Sequence, residues 1–270
     1  RLSSDGARDL SFTLDASLAG STNGLEFRLL PDNQVAVWSL SAQGLISDSN
    51  LLRRLSTTGA VDATFNPTGF GSFGSVYRGT NGAITSITLG AFRVLAHDSA
   101  GRLIARATTG TYPAGASSLN YTLLRINANG SLDTTFNAPT LSWPTSVSFP
   151  TITDAQTNSG AAGQIAATVV YGYPFSGATP VSGGKLLVFG LFTELGGQPA
   201  PGIARLTATG ARDTTFNVGP GAQLRYQPGR LAQVEGVTVA ADGKIWITGA
   251  FDTFNDVAAP GIVRLSADGT

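Results

Sequence analysis

One signature, Arg-Leu/Ile-x-x-x-Gly-x-x-Asp-x-x-Phe, recurs through this chain and limits what it can fold into. It reads RLSSDGARDLSF from Arg1, RLSTTGAVDATFN from Arg54, RINANGSLDTTFN from Arg125 and RLTATGARDTTFN from Arg205. A fifth copy, RLSADGT, starts at Arg264. The copies begin 53, 71, 80 and 59 residues apart, yet their internal offsets do not change. Fixed offsets inside variable spacings describe a rigid motif joined by loops of differing length, which is the mark of a repeat architecture.

Each copy reads as a β-hairpin. A three-residue hairpin loop commonly uses a type I turn followed by a residue in the left-handed region, usually Gly. Gly6, Gly59, Gly130 and Gly210 fill that third loop position. Counting outward places Arg1 opposite Asp9, Arg54 opposite Asp62, Arg125 opposite Asp133 and Arg205 opposite Asp213. Opposite charges directly across a strand pair stabilise by roughly 0.2–1 kcal/mol. The repeated acids are therefore expected as structural ion pairs rather than as catalytic groups or metal ligands. Phe12, Phe65, Phe136 and Phe216 are expected as core aromatics wedged between adjacent repeats. Asn66, Asn137 and Asn217 suit a turn that ends the strand.

Short apolar strands lie between the signatures. GKLLVFGLF from Gly184 and GKIWITGAF from Gly243 are the clearest, with weaker counterparts GRLIARAT from Gly101 and NQVAVWSLS from Asn33. Another strand precedes each: LEFRLL from Leu25, FRVLAH from Phe92, AATVVYG from Ala166 and VEGVTVA from Val234. No helical periodicity separates them. The pattern predicts an all-β fold, a β-propeller-like repeat array of four-stranded antiparallel blades, about four in this chain. Residues 1–270 then form a single repeat domain, with units at about 1–53, 54–124, 125–204 and 205–263 and the start of a fifth at 264–270. The fifth copy duplicates the first and would compete with it in a closed four-bladed ring. The chain is therefore expected to belong to a longer array, either a larger propeller or an open stack that needs a neighbour.

The recurring R-L-x-x-x-G-x-x-D-x-x-F-N, with D-G-K-I-x-x-x-G-x-F between copies and clearest from Asp242 to Phe251, resembles the delta-60 repeat family. The likeness covers essentially the whole chain, with insertions in the second and third repeats and no Gly-Phe pair in the first. The resemblance implies β-propeller structure and a place among large secreted or surface proteins of bacteria. It implies no catalytic activity and supplies no catalytic residues.

Composition removes several function classes. With 17 basic and 17 acidic residues the chain lacks the clustered positive charge of a nucleic-acid or polybasic membrane binder. It has no Cys, hence no disulfide, thiol nucleophile or zinc-thiolate site. No apolar stretch approaches the roughly 18 residues of a membrane span. Met is absent even at position 1, so a processed or partial product is expected.

Candidate sites are few. The long insertion from about Ala138 to Gly183 carries Trp143, Tyr171, Tyr173 and Phe175, candidate contacts for a protein partner or a glycan. The alternative for these residues is a loop that packs its own aromatics. Calcium is the one metal considered, with Asp252, Asn255 and Asp256 supplying hard oxygen atoms, although turn formation explains the same residues. His97 is the single histidine and reads as a strand-end polar residue, since no G-x-S-x-G elbow accompanies it. Glu26, Glu194 and Glu235 are the only glutamates, and a glycosidase would need two positioned carboxyl groups. No phosphate-binding loop or dinucleotide fingerprint is present.

The leading expectation is a non-enzymatic, extracellular structural or adhesive scaffold of a bacterial surface, without cofactor, acting on protein partners or further copies of itself. The alternatives are a glycan- or ligand-binding propeller using the insertion aromatics, and a carboxylate-based hydrolase or lyase.

Overall fold

The computed structural model describes residues 1–18, 25–39, 52–68, 76–78, 84–87, 92–109, 118–144, 175–225 and 231–270. Among these residues the chain forms β-structure, antiparallel apart from one isolated parallel bridge between Thr68 and Ser131, and short 3₁₀ turns, with no α-helix. Among the described residues no helix is long and apolar enough to cross a membrane.

Among the described residues four main sheets follow one another along the chain, accompanied by three small sheets of two or three short strands. Sheet 1 comprises Leu25–Leu29, Val35–Ser39 and Leu52–Leu55. Sheet 2 comprises Arg93–His97, Leu103–Thr109, Ser118–Ile126 and Leu141–Pro144. Sheet 3 comprises Gly177–Pro180, Leu186–Phe189 and Ile203–Leu206. Sheet 4 comprises Gln233–Val239, Ile245–Ala250 and Ile262–Leu265. This is a propeller-like repeat fold.

The turn between the first two strands uses left-handed backbone each time. Asp32 and Asn33 serve sheet 1, Gly101 sheet 2, Gly183 and Gly184 sheet 3, and Gly243 sheet 4. The third strand of each main sheet ends in the Arg-Leu/Ile pair of a signature copy, so the motif takes the same place in every main sheet.

The anticipated four-stranded blade is reduced. Sheets 1, 3 and 4 have three regular strands, and after the signature turn the ladder continues in the second, third and fourth copies as a single bridge: Leu55 to Val61, Ile126 to Leu132, Leu206 to Arg212. Pairing stops after the next residue, Asp, whose amide still bonds the Arg carbonyl opposite while its carboxylate takes the amide two residues on and turns the chain away. The first strand of sheet 3 is Gly177–Pro180, not the stretch from Ala166, which lies outside the described residues. Gly-Ala-Thr-Pro has weak strand propensity and is held by its ladder to Leu186–Phe189 and by burial.

Successive sheets pack face to face. One apolar core joins sheets 1 and 2 through Trp38, Leu52, Val94 and Leu103. A second joins sheets 2 and 3 through Ile104, Leu123, Ala178 and Val188. A third joins sheets 3 and 4 through Leu187, Ile203, Val237 and Ile247. The first strands of neighbouring sheets also lie side by side, 1 by 2, 2 by 3 and 3 by 4. Within each sheet the side chains alternate between faces, so one face looks back to the preceding sheet and the other forward to the next.

Two isoleucines make a controlled comparison. Ile203 pairs with Phe189 in sheet 3 and Ile262 pairs with Thr248 in sheet 4, the same place in the register. Ile203 is fully buried against sheet 4, whereas Ile262 is half exposed. Ile203→Ala is expected to lower unfolding free energy by about 2–5 kcal/mol, and Ile262→Ala by under about 1 kcal/mol. Urea denaturation of the two variants checks this, and equal losses would refute the face-to-face stacking.

Candidate functional site

The signature residues converge on the junctions between repeats. Each Arg points its Nε at Oδ2 of its own Asp, at 2.5 Å for Arg1–Asp9, 2.9 Å for Arg54–Asp62, 2.7 Å for Arg125–Asp133 and 2.8 Å for Arg205–Asp213. The register that brings them together is seen in backbone bonds from Asp62 N to Arg54 O and from Ser56 N to Ala60 O, both 2.8 Å. The turn glycines have φ from 84° at Gly6 to 94° at Gly59.

The other guanidinium edge leaves the repeat. Nη1 of Arg1 donates to the carbonyl of Thr57 at 3.0 Å, and that of Arg54 to Ala128 at 2.6 Å. Arg125 reaches Ala208 at 2.6 Å and Arg205 reaches Ala267 at 2.7 Å. In every case the acceptor is the fourth residue of the next copy. Each cation lies over the Phe of its own copy, 4.8–5.0 Å from the ring centroid for Arg54, Arg125 and Arg205 and 5.6 Å for Arg1. Planar stacking with a fork of donors is what Arg provides and Lys does not.

The backbone adds a parallel bond. The residue after each Phe donates its amide to the fifth residue of the next copy: Thr13 to Thr58, Asn66 to Asn129, Asn137 to Thr209 and Asn217 to Asp268, at 2.8–3.0 Å. The receiving Gly sits directly on this segment. A Cβ on Gly130 would lie 2.7–2.9 Å from the main chain of Asn66, and one on Gly210 at the same range from the main chain of Asn137 and Ala138. Glycine is thus required twice, by its positive φ and by the approach of the preceding repeat.

Each Asp is held on both oxygens. Oδ1 accepts the amide and hydroxyl of the residue two further on, Ser11, Thr64, Thr135 or Thr215, with hydroxyl distances of 2.6 Å. The Ser11 hydroxyl and the Arg1 guanidinium hold Asp9 down at about 2. Hydrogen bonding from Thr64 lowers Asp62. Burial resists ionisation of Asp133 and Asp213, but the threonine hydroxyls and the cations outweigh it and both stay below the usual carboxylate range. Lys185 is one of those cations, 2.9 Å from Asp213. A depressed Asp contributes stability above its unfolded pKa and loses it as pH falls through the folded value.

Sequence reasoning placed the Arg–Asp pairs but not the hydroxyl partners, although Ser or Thr stands two residues after Asp in all four copies. It also missed the carbonyl acceptors, which no side chain announces. Phe65, Phe136 and Phe216 are core residues between sheets, while Phe12 is partly exposed.

The remaining candidates lie apart from these junctions. Phe175 is fully buried in the core of sheets 2 and 3, its ring 5.7 Å from that of Phe192 and its carbonyl bonded to Arg106. It cannot offer its ring to a partner, because its apolar surface is already spent in the core. Tyr171, Tyr173 and the side chain of Trp143 lie outside the described residues. Asn255 and Asp256 form a left-handed two-residue turn between Thr253–Phe254 and Val257–Ala258, the counterpart of Gly196-Gly197 in the preceding repeat. Asn255 Oδ1 accepts the Gly221 amide and Asp252 Oδ1 the Arg225 amide, both at 2.8 Å. Among the described residues no group of three or more His, Asp and Glu could hold a metal ion. His97 ends the first strand of sheet 2 with Nδ1 3.3 Å from the Asp98 carbonyl. Glu26 bonds Arg93 and the Trp38 indole, whereas Glu194 and Glu235 are exposed. An open cleft of about 910 Å³ runs along the turns of sheets 2, 3 and 4. The cations on its wall are engaged, Arg102 with Asp98, Arg125 with Asp133, and Lys185 and Arg205 with Asp213.

Residues 101–136, 184–216 and 240–270 match the family described as a domain of unknown function (DUF5122) beta-propeller. Each matched segment starts in the turn before the second strand of its sheet and runs into the signature. No curated protein matches the chain.

Two glycines separate the demand of φ from the demand of contact. Gly6 has a φ of 84° with nothing within 4 Å of an added Cβ, whereas Gly130 faces the preceding repeat. Gly6→Ala is expected to cost about 1 kcal/mol, the strain of the left-handed region alone. Gly130→Ala is expected to cost at least about 2–3 kcal/mol more, through displacement of the Asn66 segment. Guanidinium denaturation distinguishes them, and equal costs would show that the junction is not tight.

Proposed function

We propose that this chain, three segments of which match that β-propeller family, is a non-enzymatic structural and adhesive scaffold of a bacterial surface. It works outside the cell through protein–protein contacts. The observation that carries this reading is the fourfold junction. The same guanidinium, carboxylate and hydroxyl recur in four copies, bonded to one another, and the guanidinium also holds the next repeat. Reactive chemistry needs a unique constellation whose groups stay available to substrate. Groups repeated at equivalent places and bonded to one another serve extension of the array instead.

Other features support the same reading. A weakly charged surface rich in Gly, Ser and Thr suits broad contact with neighbours. The absence of Cys is compatible with an oxidising exterior. Stacked repeats build extended surfaces whose terminal faces must be capped or joined to something.

Antibody against the chain, applied to intact cells of the native source, is expected to label them, and surface proteolysis is expected to remove the label. Labelling that requires permeabilised cells would overturn the extracellular assignment. Turnover of glycoside or ester substrates by the purified chain would overturn the non-enzymatic one.

A further inference from the structure

The turn of the third signature copy carries an Asn-Gly pair, Asn129–Gly130, at its fifth and sixth positions. The same places read Asp5–Gly6, Thr58–Gly59, Thr209–Gly210 and Asp268–Gly269 in the other copies. Of the three Asn-Gly pairs in the sequence, this one falls among the described residues. Asn before Gly is chemically labile, because no side chain on the Gly obstructs attack of its backbone nitrogen on the Asn side-chain amide.

In the closed junction the reacting groups are all engaged. The Gly130 amide donates to the Asn127 carbonyl at 2.8 Å. Asn129 Oδ1 accepts the Ser131 amide at 3.0 Å and the Ser131 hydroxyl at 2.8 Å. The Asn129 carbonyl accepts the Asn66 amide of the preceding repeat at 2.8 Å, and Arg54 holds the Ala128 carbonyl beside it. Bringing the Gly130 nitrogen to Asn129 Cγ rotates the peptide plane between the two residues and pulls that carbonyl off Asn66. The plane has no room to turn, since a Cβ on Gly130 would already lie 2.7–2.9 Å from the Asn66 main chain. Asn129 itself is exposed, so water reaches it.

We propose that Asn129–Gly130 is a spontaneous deamidation site gated by the junction between the second and third repeats, silent while the junction is closed and converted when it opens. The Gly130 nitrogen then bonds to Asn129 Cγ, its proton passes to the departing side-chain nitrogen, and ammonia leaves a five-membered succinimide. Water opens that ring with no change of oxidation state. Cleavage of the Cγ–N bond gives aspartate, and cleavage at the Asn129 carbonyl carbon gives isoaspartate. The site does not depend on the scaffold reading, whose test by surface labelling stands apart.

The two products have opposite consequences for the junction. Aspartate fits, because Asp268 already occupies the equivalent place. Its Oδ1 accepts the Thr270 amide at 3.1 Å and hydroxyl at 2.8 Å, and its carbonyl accepts the Asn217 amide at 3.0 Å. The Thr270 hydroxyl and amide, with Arg205 nearby, hold the Asp268 carboxyl below its usual range, so a charge is accommodated there. Isoaspartate does not fit. It adds a carbon to the main chain at the residue that abuts Asn66, and it turns the carbonyl that receives the Asn66 amide into a free carboxylate. A junction opened long enough to form isoaspartate therefore does not close again.

Peptide mapping by mass spectrometry of the full chain, held at neutral pH and body temperature, tests this, with aspartate and isoaspartate at position 129 resolved against synthetic standards. Conversion in the folded chain is expected to be at least about 100-fold slower than in the free peptide of residues 125–136, in proportion to the small population of opened chain. Arg54→Lys gives up the fork that holds the Ala128 carbonyl. It is expected to speed conversion about tenfold or more and to speed exchange of the Asn66 amide by the same factor. Should that variant not fold, sub-denaturing urea opens the junction of the unaltered chain, and the two rates are compared along the series. Asn129→Asp is expected to keep the melting curve and the Asn66 protection, whereas chain carrying isoaspartate at position 129 is expected to lose that protection. Conversion in the folded chain as fast as in the peptide, conversion that does not follow Asn66 exchange, or an isoaspartate chain with Asn66 still protected would overturn the proposal.

Discussion

The stack of sheets depends on one guanidinium used on three sides. Its Nε edge meets the Asp of its own repeat, its plane covers the Phe of its own repeat, and its outer nitrogen holds a carbonyl of the next. The Arg125 pair is the most enclosed of the four, with both side chains over nine-tenths buried. Removing one partner of such a pair costs about 3–5 kcal/mol, because the other charge is left without compensation. The same group thus ties local turn geometry to the placement of the adjoining sheet.

That coupling explains why the signature tolerates variable spacing. Loops between the strands can lengthen, as they do in the second and third repeats, because the junction is made by residues at fixed offsets within one short segment. The glycine is part of the same device. It lets the turn adopt positive φ and lets the Asn66 or Asn137 segment pass within contact of the main chain. Sheet packing then supplies the apolar energy, with alternate residues of every strand facing back or forward.

Much of this was legible in the sequence because the motif is rigid. Counting across a three-residue loop brings Arg54 to Asp62 and Arg125 to Asp133, and the structure has these bonds. The all-β propeller-like fold follows from strand spacing and turn residues. Other elements were hidden for physical reasons. The carbonyls of Thr57, Ala128, Ala208 and Ala267 belong to residues whose identity says nothing about acceptance. The first strand of sheet 3, Gly177–Pro180, has no strand-like composition and forms through its neighbours. Phe175 reads as an insertion aromatic by position in the chain, yet its ring is core. The fourth strand of the blade shrinks to a bridge because the Asp carboxylate captures its own chain.

The central claim is that neighbouring repeats are locked by the junction rather than loosely strung. Native-state hydrogen exchange at the amides of Asn66, Asn137 and Asn217 addresses it directly, since each donates to the next repeat. The account predicts that these amides exchange with the same opening free energy as the core amides of the flanking sheets, in one cooperative unit. Exchange of any of them through a much easier local opening, with the adjoining sheets still protected, would contradict it.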